Sequence, residues 1–368
     1  MPPKPLANIL DITPYKGGDP ATSGDGPSYK LSANENPLGC SPKARDAFVE
    51  AGATLALYPD GGATALRHKI GGRYGIDPDR IVCGSGSDEL FQLMGRAYLS
   101  PGDEIVQSAH AFLVYRLVAQ QAGATTISAP ETDLKADVDA MLDAVTDQTR
   151  IVFLANPNNP TGSYLSKREV ARLHAGLPED VLMVLDGAYA EYVEAADYDD
   201  GLSLATEAEN VVVTRTFSKI HGLAALRLGW AYGPASVIDA LHRVRGPFNV
   251  AAPAQAAGIA ALEDADFVAQ SRLHNAEERQ RVERALSGLH NLGLTVFPSV
   301  GNFLLIRFPD EPGRNAESVD AYLRGRGLVL RGMTAYGLPD CLRLTIGETK
   351  ANDAVIDAFQ DFAESQTA

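Results

Sequence analysis

Cysteine is scarce in this chain of 368 residues, and the three cysteines that occur are far apart. Cys40, Cys83 and Cys341 form no C-x-x-C pair, and such isolated thiols are typical of reduced proteins of the cytoplasm. The seven histidines are scattered too, without the H-E-x-x-H spacing of a zinc site. We therefore expect a cytoplasmic protein without a disulfide framework, and nothing in the sequence supports a metal site.

Two further features are missing: a long apolar run and an excess of positive charge. No apolar stretch approaches the roughly 20 residues of a membrane-spanning helix, and no signal segment opens the chain. Lysine and arginine together number 32 against 47 acidic residues, which gives a formal net charge of −15. Because nucleic-acid-binding proteins usually present a basic surface, a nucleic-acid partner is disfavoured. Anionic small substrates must then be bound by local arginines.

Short apolar runs alternate with helical patterns through the first two thirds of the chain. Strands are predicted at 81–83, 104–106, 124–128, 151–154, 181–185 and 210–214. The segments between them have the apolar periodicity of helices. Such alternation indicates a parallel sheet with helices on both faces, so the predicted fold class is α/β.

From about residue 255 the pattern changes. A long helical stretch is predicted over 254–290, followed by strands at 295–298, 303–308 and 341–346 and helices at 316–324 and 350–363. This succession is typical of an α+β domain with an antiparallel sheet. Residues 1–30 are rich in Pro, Gly, Ser and Asp. We therefore predict an N-terminal arm (1–30), a large α/β domain (51–254) and a small α+β domain (31–50 with 255–368).

A lysine and an arginine that could take part in catalysis stand close together in residues 214–230, TRTFSKIHGLAALRLGW. Lys219 closes a Ser/Thr-rich turn after an apolar run, and Arg227 follows eight residues later. This arrangement suits a lysine that forms a Schiff base beside an arginine that binds a phosphate. The reference pKa of a lysine amine is about 10.4, so burial or a nearby cation must lower it before the amine reacts at neutral pH. An isolated Ser-Lys pair is more often an ordinary turn with a solvated lysine.

Three loops that follow predicted strands carry further candidates. The glycine-rich GSGSDE (84–89) precedes a helix, where free backbone N–H groups can bind a phosphate; it lacks the third glycine of a dinucleotide-binding fingerprint. Asn159 stands in a rigid NPNNPTG loop that can hold its amide on a ligand oxygen. Asp186 ends an apolar strand, where a carboxylate needs a cationic partner such as a protonated pyridine nitrogen or an arginine. Each loop, taken singly, fits a plain structural turn as well.

Aromatic and arginine side chains complete the set of candidates. Tyr189 follows Asp186 by three residues and can reach the same crevice. Phe112, just after a strand, can stack on a planar cofactor, although an aromatic at such a place is more often part of the core. Arg331 and Arg343 flank a Gly-Leu-Pro turn and suit bidentate capture of a carboxylate or phosphate; two solvated surface arginines are the alternative.

Taken together, these motifs resemble the fold-type-I aminotransferases that use pyridoxal 5′-phosphate (PLP), and most closely the histidinol-phosphate aminotransferases. The similarity runs from about Tyr15 to the end of the chain, through SANENPLG, YPDGG, GSDE, HAFLVY, NPNNPTG, DGAYAEY, RTFSKIHGLAALRLG and YGLPDCLRLTIG. The resemblance implies a large domain with a mostly parallel sheet of the seven-stranded type between helices. It also implies an amino transfer in histidine biosynthesis, from L-histidinol phosphate to 2-oxoglutarate, giving imidazole acetol phosphate and L-glutamate.

The resemblance further implies a role for each residue of a cofactor site. Lys219 would form the Schiff base with PLP and shuttle the proton, and Asp186 would keep the pyridine nitrogen protonated. Asn159 and Tyr189 would hydrogen-bond the 3′ oxygen of the ring, and Phe112 would stack on its face. The implied phosphate-binding residues are Gly86, Ser87, Asp88, Thr216, Ser218 and Arg227, joined by Tyr58 from the neighbouring subunit of a homodimer.

Substrate recognition is implied for a second group of residues. Arg343 would clamp the substrate carboxylate or phosphate, with Arg331, Tyr15 and Asn34 closing the pocket. Two features depart from the family: the span between Tyr15 and SANENPLG is short, and His110 stands where many members have another residue. His110 either tunes substrate choice or has no role in it.

Three other functions share parts of this pattern. An aromatic-amino-acid aminotransferase is the nearest alternative, because a pocket for an imidazole also takes a phenyl ring. A phosphothreonine-type decarboxylase resembles this family and shares the lysine. A non-catalytic sensor built on the same fold would carry a basic DNA-binding extension, and none is present. Transamination requires one lysine that is both leaving amine and base, one acid at the pyridine nitrogen and cations for the substrates, and the chain has all of them.

Overall fold

The structure is a computed structural model and describes residues 3–14, 17 and 28–366. Of the predicted arm, residues 1–2, 15–16 and 18–27 lie outside the described residues, and Tyr15 is one of them. The α-helices of the described part are, in chain order, α1 (Ala7–Leu10), α2 (Pro42–Ala51), α3 (Thr64–Tyr74), α4 (Ser87–Tyr98), α5 (Leu113–Ala122), α6 (Val138–Asp143), α7 (Lys167–Gly176), α8 (Leu202–Glu207), α9 (Ala235–Val244), α10 (Ala252–Glu263), α11 (Ala265–Ser287), α12 (Ala316–Gly325) and α13 (Thr349–Ser365). Within the described residues, no helix combines the length and apolar character needed to cross a membrane.

A seven-stranded sheet forms the centre of the molecule. Its strands are β1 (Ile81–Gly84), β2 (Glu104–Ser108), β3 (Thr125–Ala129), β4 (Thr149–Ala155), β5 (Leu182–Asp186), β6 (Val211–Thr216) and β7 (Gly229–Tyr232). Their order across the sheet is β1-β7-β6-β5-β4-β2-β3. Only the pairings of β7, with β1 and β6, are antiparallel. The predicted α/β class with a mostly parallel sheet is confirmed.

Apolar residues on both faces of each strand explain why helices cover this sheet on two sides. In β4, Val152 and Leu154 enter one buried cluster, and Ile151 and Phe153 enter another. Successive side chains of a strand point to opposite faces, so a continuous apolar run needs a helical layer on each side. Because six of the strands run parallel, their carboxyl ends lie along one edge of the sheet. The loops at this edge are not covered by the helices and are accessible to a ligand.

Strand β7 was not predicted from the sequence. Its four residues, Gly-Trp-Ala-Tyr, are too short a run to show a strand period. The glycine has a packing reason: a Cβ at Gly229 would lie 2.6 Å from the backbone nitrogen of Ser87. The absent side chain lets β7 approach the N-terminus of α4 closely.

The antiparallel sheet predicted in the C-terminal part of the chain has four strands, one more than the three predicted. Its strands are β8 (Thr295–Phe297), β9 (Phe303–Arg307), β10 (Arg331–Gly332) and β11 (Cys341–Thr345), in the order β8-β9-β11-β10. Two pairs of two-residue strands complete the described sheets: Tyr29–Lys30 with Leu328–Val329, and Glu131–Thr132 with Lys135–Ala136. Side chains from α11, α12 and α13 form a separate apolar core with this sheet.

The predicted long helix over 254–290 is two helices, α10 and α11. Asp264 stands between them and caps α11, because its side chain accepts a hydrogen bond from the backbone nitrogen of Phe267 at 3.4 Å. Small residues of α10, including Ala254 and Ala257, enter the core of the seven-stranded sheet. The predicted division of the chain at residues 50 and 255 stays a prediction.

Candidate active site

A cavity of about 140 Å³ opens at the carboxyl edge of the seven-stranded sheet. The predicted residues that line it are Ser87, Asp88, Phe112, Asn159, Asp186, Tyr189, Thr216, Ser218, Lys219 and Arg227. A larger cavity of about 630 Å³ lies elsewhere, between residues 132–139 and 297–300, and none of the predicted site residues lines it. We place the candidate site in the smaller cavity because the titratable and polar groups converge there.

Lys219 lies in the loop after β6 and is largely buried. Its Nζ donates to the backbone oxygen of Ala33 at 3.2 Å and lies 5.7 Å from the centre of the Tyr189 ring. Burial lowers the pKa of Lys219 to about 8, and the positive charges of Arg343 and Arg227 act in the same direction. A larger fraction of the amine is thus neutral near pH 7 than in an ordinary lysine, as a nucleophile or base requires.

Asp186 is the last residue of β5 and points its carboxylate into the same cavity. Burial raises the pKa of Asp186 to about 6, although three hydrogen bonds oppose this shift. The donors are the Tyr115 hydroxyl to Oδ2 at 2.6 Å, the backbone nitrogen of Ala188 to Oδ1 at 3.1 Å and the Thr214 hydroxyl to Oδ1 at 3.4 Å. Asp186 makes no ion pair among the described residues, so a cationic ligand atom would stabilise its negative charge.

The predicted phosphate-binding residues come from two loops that meet at the start of α4. Gly86 has a φ of +82°, and a Cβ there would lie 2.6 Å from Nη2 of Arg227. Arg227 reaches Oδ2 of Asp88 at 3.1 Å and the Ser218 hydroxyl at 3.3 Å. Thr216 accepts from the backbone nitrogen of Ser218 at 3.1 Å, which holds that turn. An arginine beside the backbone N–H groups of a helix's first turn is an arrangement that could hold a phosphate, so the predicted phosphate contacts stay a prediction.

Asn159 and Tyr189 each contact a predicted substrate residue. Oδ1 of Asn159 accepts a 2.5 Å hydrogen bond from Nη1 of Arg343, and Nδ2 of Asn34 donates to the Tyr189 hydroxyl at 2.9 Å. Asn34 has a φ of +54° and is held by Thr345, whose hydroxyl accepts from its backbone nitrogen at 2.9 Å. The cofactor and substrate sides of the predicted site are therefore in direct contact.

Arg343 is 5% exposed; it does not line the cavity itself but contacts Asn159, which does. Its Nη2 donates to the backbone oxygen of Ser32 at 2.9 Å, and its guanidinium lies 5.4 Å from the centre of the Phe303 ring. Its Nε has no hydrogen-bond partner among the described residues. Arg331 stands opposite Arg343 in the register of β10 and β11 and donates to the backbone oxygen of Gly17. An unsatisfied buried guanidinium nitrogen is suited to an anionic substrate.

Phe112 and His110 stand just before α5, and only Phe112 lines the cavity. Phe112 lines the cavity and lies edge-on to Tyr115, with ring centres 5.8 Å apart. His110 is turned away from the cavity, since its Nδ1 lies 2.7 Å from the backbone oxygen of Tyr336. The effect of His110 on substrate choice stays a prediction.

Known proteins are similar to this chain over almost its whole length. The family model for aminotransferase class I and II matches residues 27–359. The chain belongs to this family. The predicted family and the prediction of an aminotransferase are therefore confirmed.

Relatives and solved structures agree on this aminotransferase assignment. The chain is 56% identical to histidinol-phosphate aminotransferase of Maricaulis maris (strain MCS10), over 98% of this chain and 99% of the relative. It is 53% identical to the enzyme of the same name from Rhodospirillum centenum (strain ATCC 51521 / SW), over 98% of each chain. It is similar in structure to histidinol-phosphate aminotransferase from Sinorhizobium meliloti in complex with pyridoxal-5′-phosphate, with a TM-score of 0.84, 28% identity and 91% of each chain covered.

Tyr58 of this aminotransferase is not brought to the cavity of its own chain. It is 83% exposed and stacks on Phe248, with ring centres 4.6 Å apart. Its predicted phosphate contact therefore requires a second copy of the chain and stays a prediction.

The donor set fits a flat phosphorylated pyridine such as PLP. The cavity combines a lysine whose pKa is lowered, a buried carboxylate and an anion site that a Cβ at Gly86 would fill. The described residues contain no group of three or more His, Cys, Asp or Glu that could hold a metal ion. Tyr115 and Ala33, the hydrogen-bond partners of Asp186 and Lys219, lie in the motifs HAFLVY and SANENPLG, but sequence reasoning gave neither of them a role. No spacing signal marks either, because the contacts join residues 71 and 186 positions apart.

Proposed function

We propose that this aminotransferase transfers the amino group of L-histidinol phosphate to 2-oxoglutarate, in histidine biosynthesis. The observation that carries this proposal is the 56% identity to a histidinol-phosphate aminotransferase over 98% of the chain, supported by a cavity that Lys219, Asp186 and Arg227 line. PLP, whose prediction the family and the Sinorhizobium meliloti relative confirm, supplies an electron sink for the carbanion that forms when Cα loses its proton.

The proposed cofactor contacts follow the cavity lining. Lys219 is the attachment point, and Asp186 holds a negative charge against the ring nitrogen. Phe112 packs on the ring face, and Asn159 and Tyr189 orient the ring oxygen. The proposed phosphate-binding set is Gly86, Ser87, Asp88, Thr216, Ser218 and Arg227, in which backbone N–H groups and one guanidinium neutralise the phosphate.

The proposed catalytic work of the chain is proton transfer and substrate positioning. Lys219, as the neutral amine, takes the proton from Cα of the amino substrate, because its lowered pKa keeps part of it unprotonated near neutral pH. Arg343 binds the carboxylate or phosphate of the substrate, and the burial of its guanidinium strengthens that attraction. Arg331, Asn34 and Tyr15 are proposed to close the pocket.

A homodimer is proposed as the active unit, with Tyr58 of the partner subunit reaching the phosphate. Support comes from a group of exposed apolar side chains around Tyr58 in sequence, formed by Phe48, Val49, Leu55 and Leu57. Such an apolar group is typical of a surface that another chain covers. Light scattering of the purified protein tests the dimer, and a monomer with full activity would contradict it.

The three free cysteines support the predicted cytoplasmic location.

A substrate panel on the purified PLP-loaded protein tests the reaction. We expect kcat/KM for histidinol phosphate with 2-oxoglutarate to exceed that for phenylalanine by about a hundredfold or more, because Arg343 and Arg331 offer two cations to a phosphorylated substrate. Equal or reversed preference would assign the protein to the aromatic-amino-acid aminotransferases. Release of carbon dioxide from a phosphorylated amino acid would assign it to the decarboxylases.

A further inference from the structure

We infer that Tyr115 is a positioning residue for amino transfer: its buried hydroxyl holds the Asp186 carboxylate in the orientation that meets the ring nitrogen of the cofactor. The inference rests on the proposed use of PLP at this site. Tyr115 does not line the cavity, and its role follows from the contact that it makes behind Asp186.

The hydrogen bond itself is short and fully enclosed. The Tyr115 hydroxyl donates to Oδ2 of Asp186 at 2.6 Å, and both side chains are buried, at 0% and 5% exposed. Hydrogen bonds from a hydroxyl to a carboxylate are shorter and stronger than those between neutral groups. Tyr115 approaches Oδ2 from the buried side of Asp186, and this contact holds Oδ2 in place.

Ring packing fixes the direction of the tyrosine hydroxyl. The Tyr115 ring stacks on Phe153 at 4.5 Å with an angle of 5° between planes, and it lies edge-on to Phe91 at 5.1 Å and 88°. Such aromatic contacts hold a ring in one rotamer. Phe112 adds a third contact, edge-on at 5.8 Å, so the same turn of α5 supports the proposed stacking residue and orients the carboxylate.

The chemistry of the pair favours a permanent donor. Burial first, and then the charge of Asp186, raise the pKa of Tyr115 well above its ordinary value, so the hydroxyl keeps its proton. The other charge that acts on Asp186 is Asp88, which disfavours the ionised carboxylate. The Tyr115 hydrogen bond opposes that effect. It therefore keeps Asp186 negative where a protonated ring nitrogen needs a counter-charge.

The simple alternative is that Tyr115 only fills the core. A core residue needs its ring and not its hydroxyl, so Tyr115→Phe separates the two roles. Tyr232→Phe is the control: Tyr232, on β7, is buried like Tyr115 at 1% exposed, and its hydroxyl lies 2.9 Å from the Thr206 hydroxyl. Removing that hydroxyl leaves Asp186 untouched.

The test uses the PLP-loaded protein and three measurements: PLP affinity, the pH titration of the absorbance of the lysine-bound cofactor, and kcat with KM. We expect Tyr115→Phe to weaken PLP binding and to lower kcat, each by about tenfold, while KM stays unchanged, because one hydrogen bond to a charged group is lost. In Tyr115→Phe, the pH at which the absorbance of the lysine-bound cofactor changes is expected to be higher than in the wild type. The reason is that a ring nitrogen that holds its proton less firmly withdraws less charge from the rest of the cofactor. In an Asp186→Asn background the same change is expected to have no further effect.

A second variant keeps the test decisive if Tyr115→Phe does not fold. Replacement of Tyr115 by 3-fluorotyrosine preserves shape and strengthens the donor, so the absorbance transition is expected at lower pH. Values for Tyr115→Phe that match those for Tyr232→Phe, or a 3-fluorotyrosine protein that titrates like the wild type, would overturn the inference. The absorbance is measured without substrate. If the wild-type protein binds no PLP, the proposed function is contradicted. If the wild type binds PLP and Tyr115→Phe behaves like the wild type, only this inference is contradicted.

Discussion

The buried Arg215 and the largely buried Lys219 lie four residues apart, and they differ in how their charge is balanced. Arg215, on β6, is 1% exposed, donates to the backbone oxygen of Gly187 at 3.1 Å and pairs with Oδ2 of Asp200 at 3.1 Å. Lys219, in the loop beyond, donates to a backbone oxygen and makes no ion pair among the described residues.

The pKa values of the two cations move in opposite directions for this reason. Burial alone would lower the pKa of Arg215, but Glu191, Asp200 and nearby tyrosines outweigh it and raise the pKa above its ordinary value. Burial lowers the pKa of Lys219 and the neighbouring acids do not restore it. A buried cation with anionic partners supports the fold, whereas one without them is prepared for chemistry.

Removing the reactive cation is expected to have the largest effect. Lys219→Ala should abolish the absorbance of the lysine-bound cofactor and lower kcat by about a thousandfold or more, because the proposed attachment amine and base is lost. Spectra and steady-state kinetics check this. Lys69→Ala, which removes a partly exposed lysine paired with Glu263, is the control and should leave both unchanged. Substantial turnover without Lys219 would contradict the proposed mechanism.

Removing the structural cation should instead lower stability. Arg215→Met is expected to reduce the free energy of unfolding by about 3 kcal/mol, because it leaves buried acceptors without their partner. Urea denaturation of the cofactor-free protein measures this. Arg243→Ala, which breaks an exposed pair with Asp239, is the control and should leave unfolding unchanged. If Arg215→Met unfolds at the same urea concentration as the wild type, the distinction between the two cations is wrong.

The stability of the cofactor-free protein should also depend on pH through Lys219. The pKa of this amine is about 8 in the folded chain against 10.5 for its ordinary value. Between these two values the unfolded state binds more protons, so the free energy of unfolding rises with pH, by roughly 3 kcal/mol in all. Denaturation at pH 7.5, 9 and 10.5 measures the slope. Lys219→Met should remove this part of the rise, and an unchanged slope in the variant would refute the assignment.

The smallest effect is expected at the glycine beside the phosphate site. Gly86→Ala should weaken PLP binding by about tenfold, since the new Cβ meets Arg227 at 2.6 Å and the φ of +82° disfavours alanine. Gly102→Ala is a matched control, because Gly102 has a φ of +96° with nothing within 4 Å of its Cβ. Both variants should lose about 1 kcal/mol of stability, and only Gly86→Ala should lose affinity for PLP. Equal PLP affinity in the two variants would contradict the phosphate site.

Much of the site could be predicted from sequence because its residues stand at strand ends. Asp186 follows an apolar run, and Lys219 and Arg227 stand in one distinctive stretch, so their convergence at one sheet edge follows from a parallel topology. Tyr115 could not be predicted, since its hydroxyl meets Asp186 only through tertiary packing. The break between α10 and α11 carried a local signal, the capping residue Asp264, which the continuous helical periodicity around it concealed.

The antiparallel direction of β7 has a consequence for how the catalytic parts are connected. Because β6 and β7 are adjacent and antiparallel, residues 217–228 leave the sheet and re-enter it at the same edge, and the backbone nitrogen of Phe217 donates to the oxygen of Leu228 at 2.9 Å. Lys219 and Arg227 thus belong to one closed loop. For protein engineering, residues 211–232 form one hairpin that carries both the proposed attachment amine and the proposed phosphate-binding guanidinium. If β7 ran parallel to β6, a long crossover would have to connect the two strands.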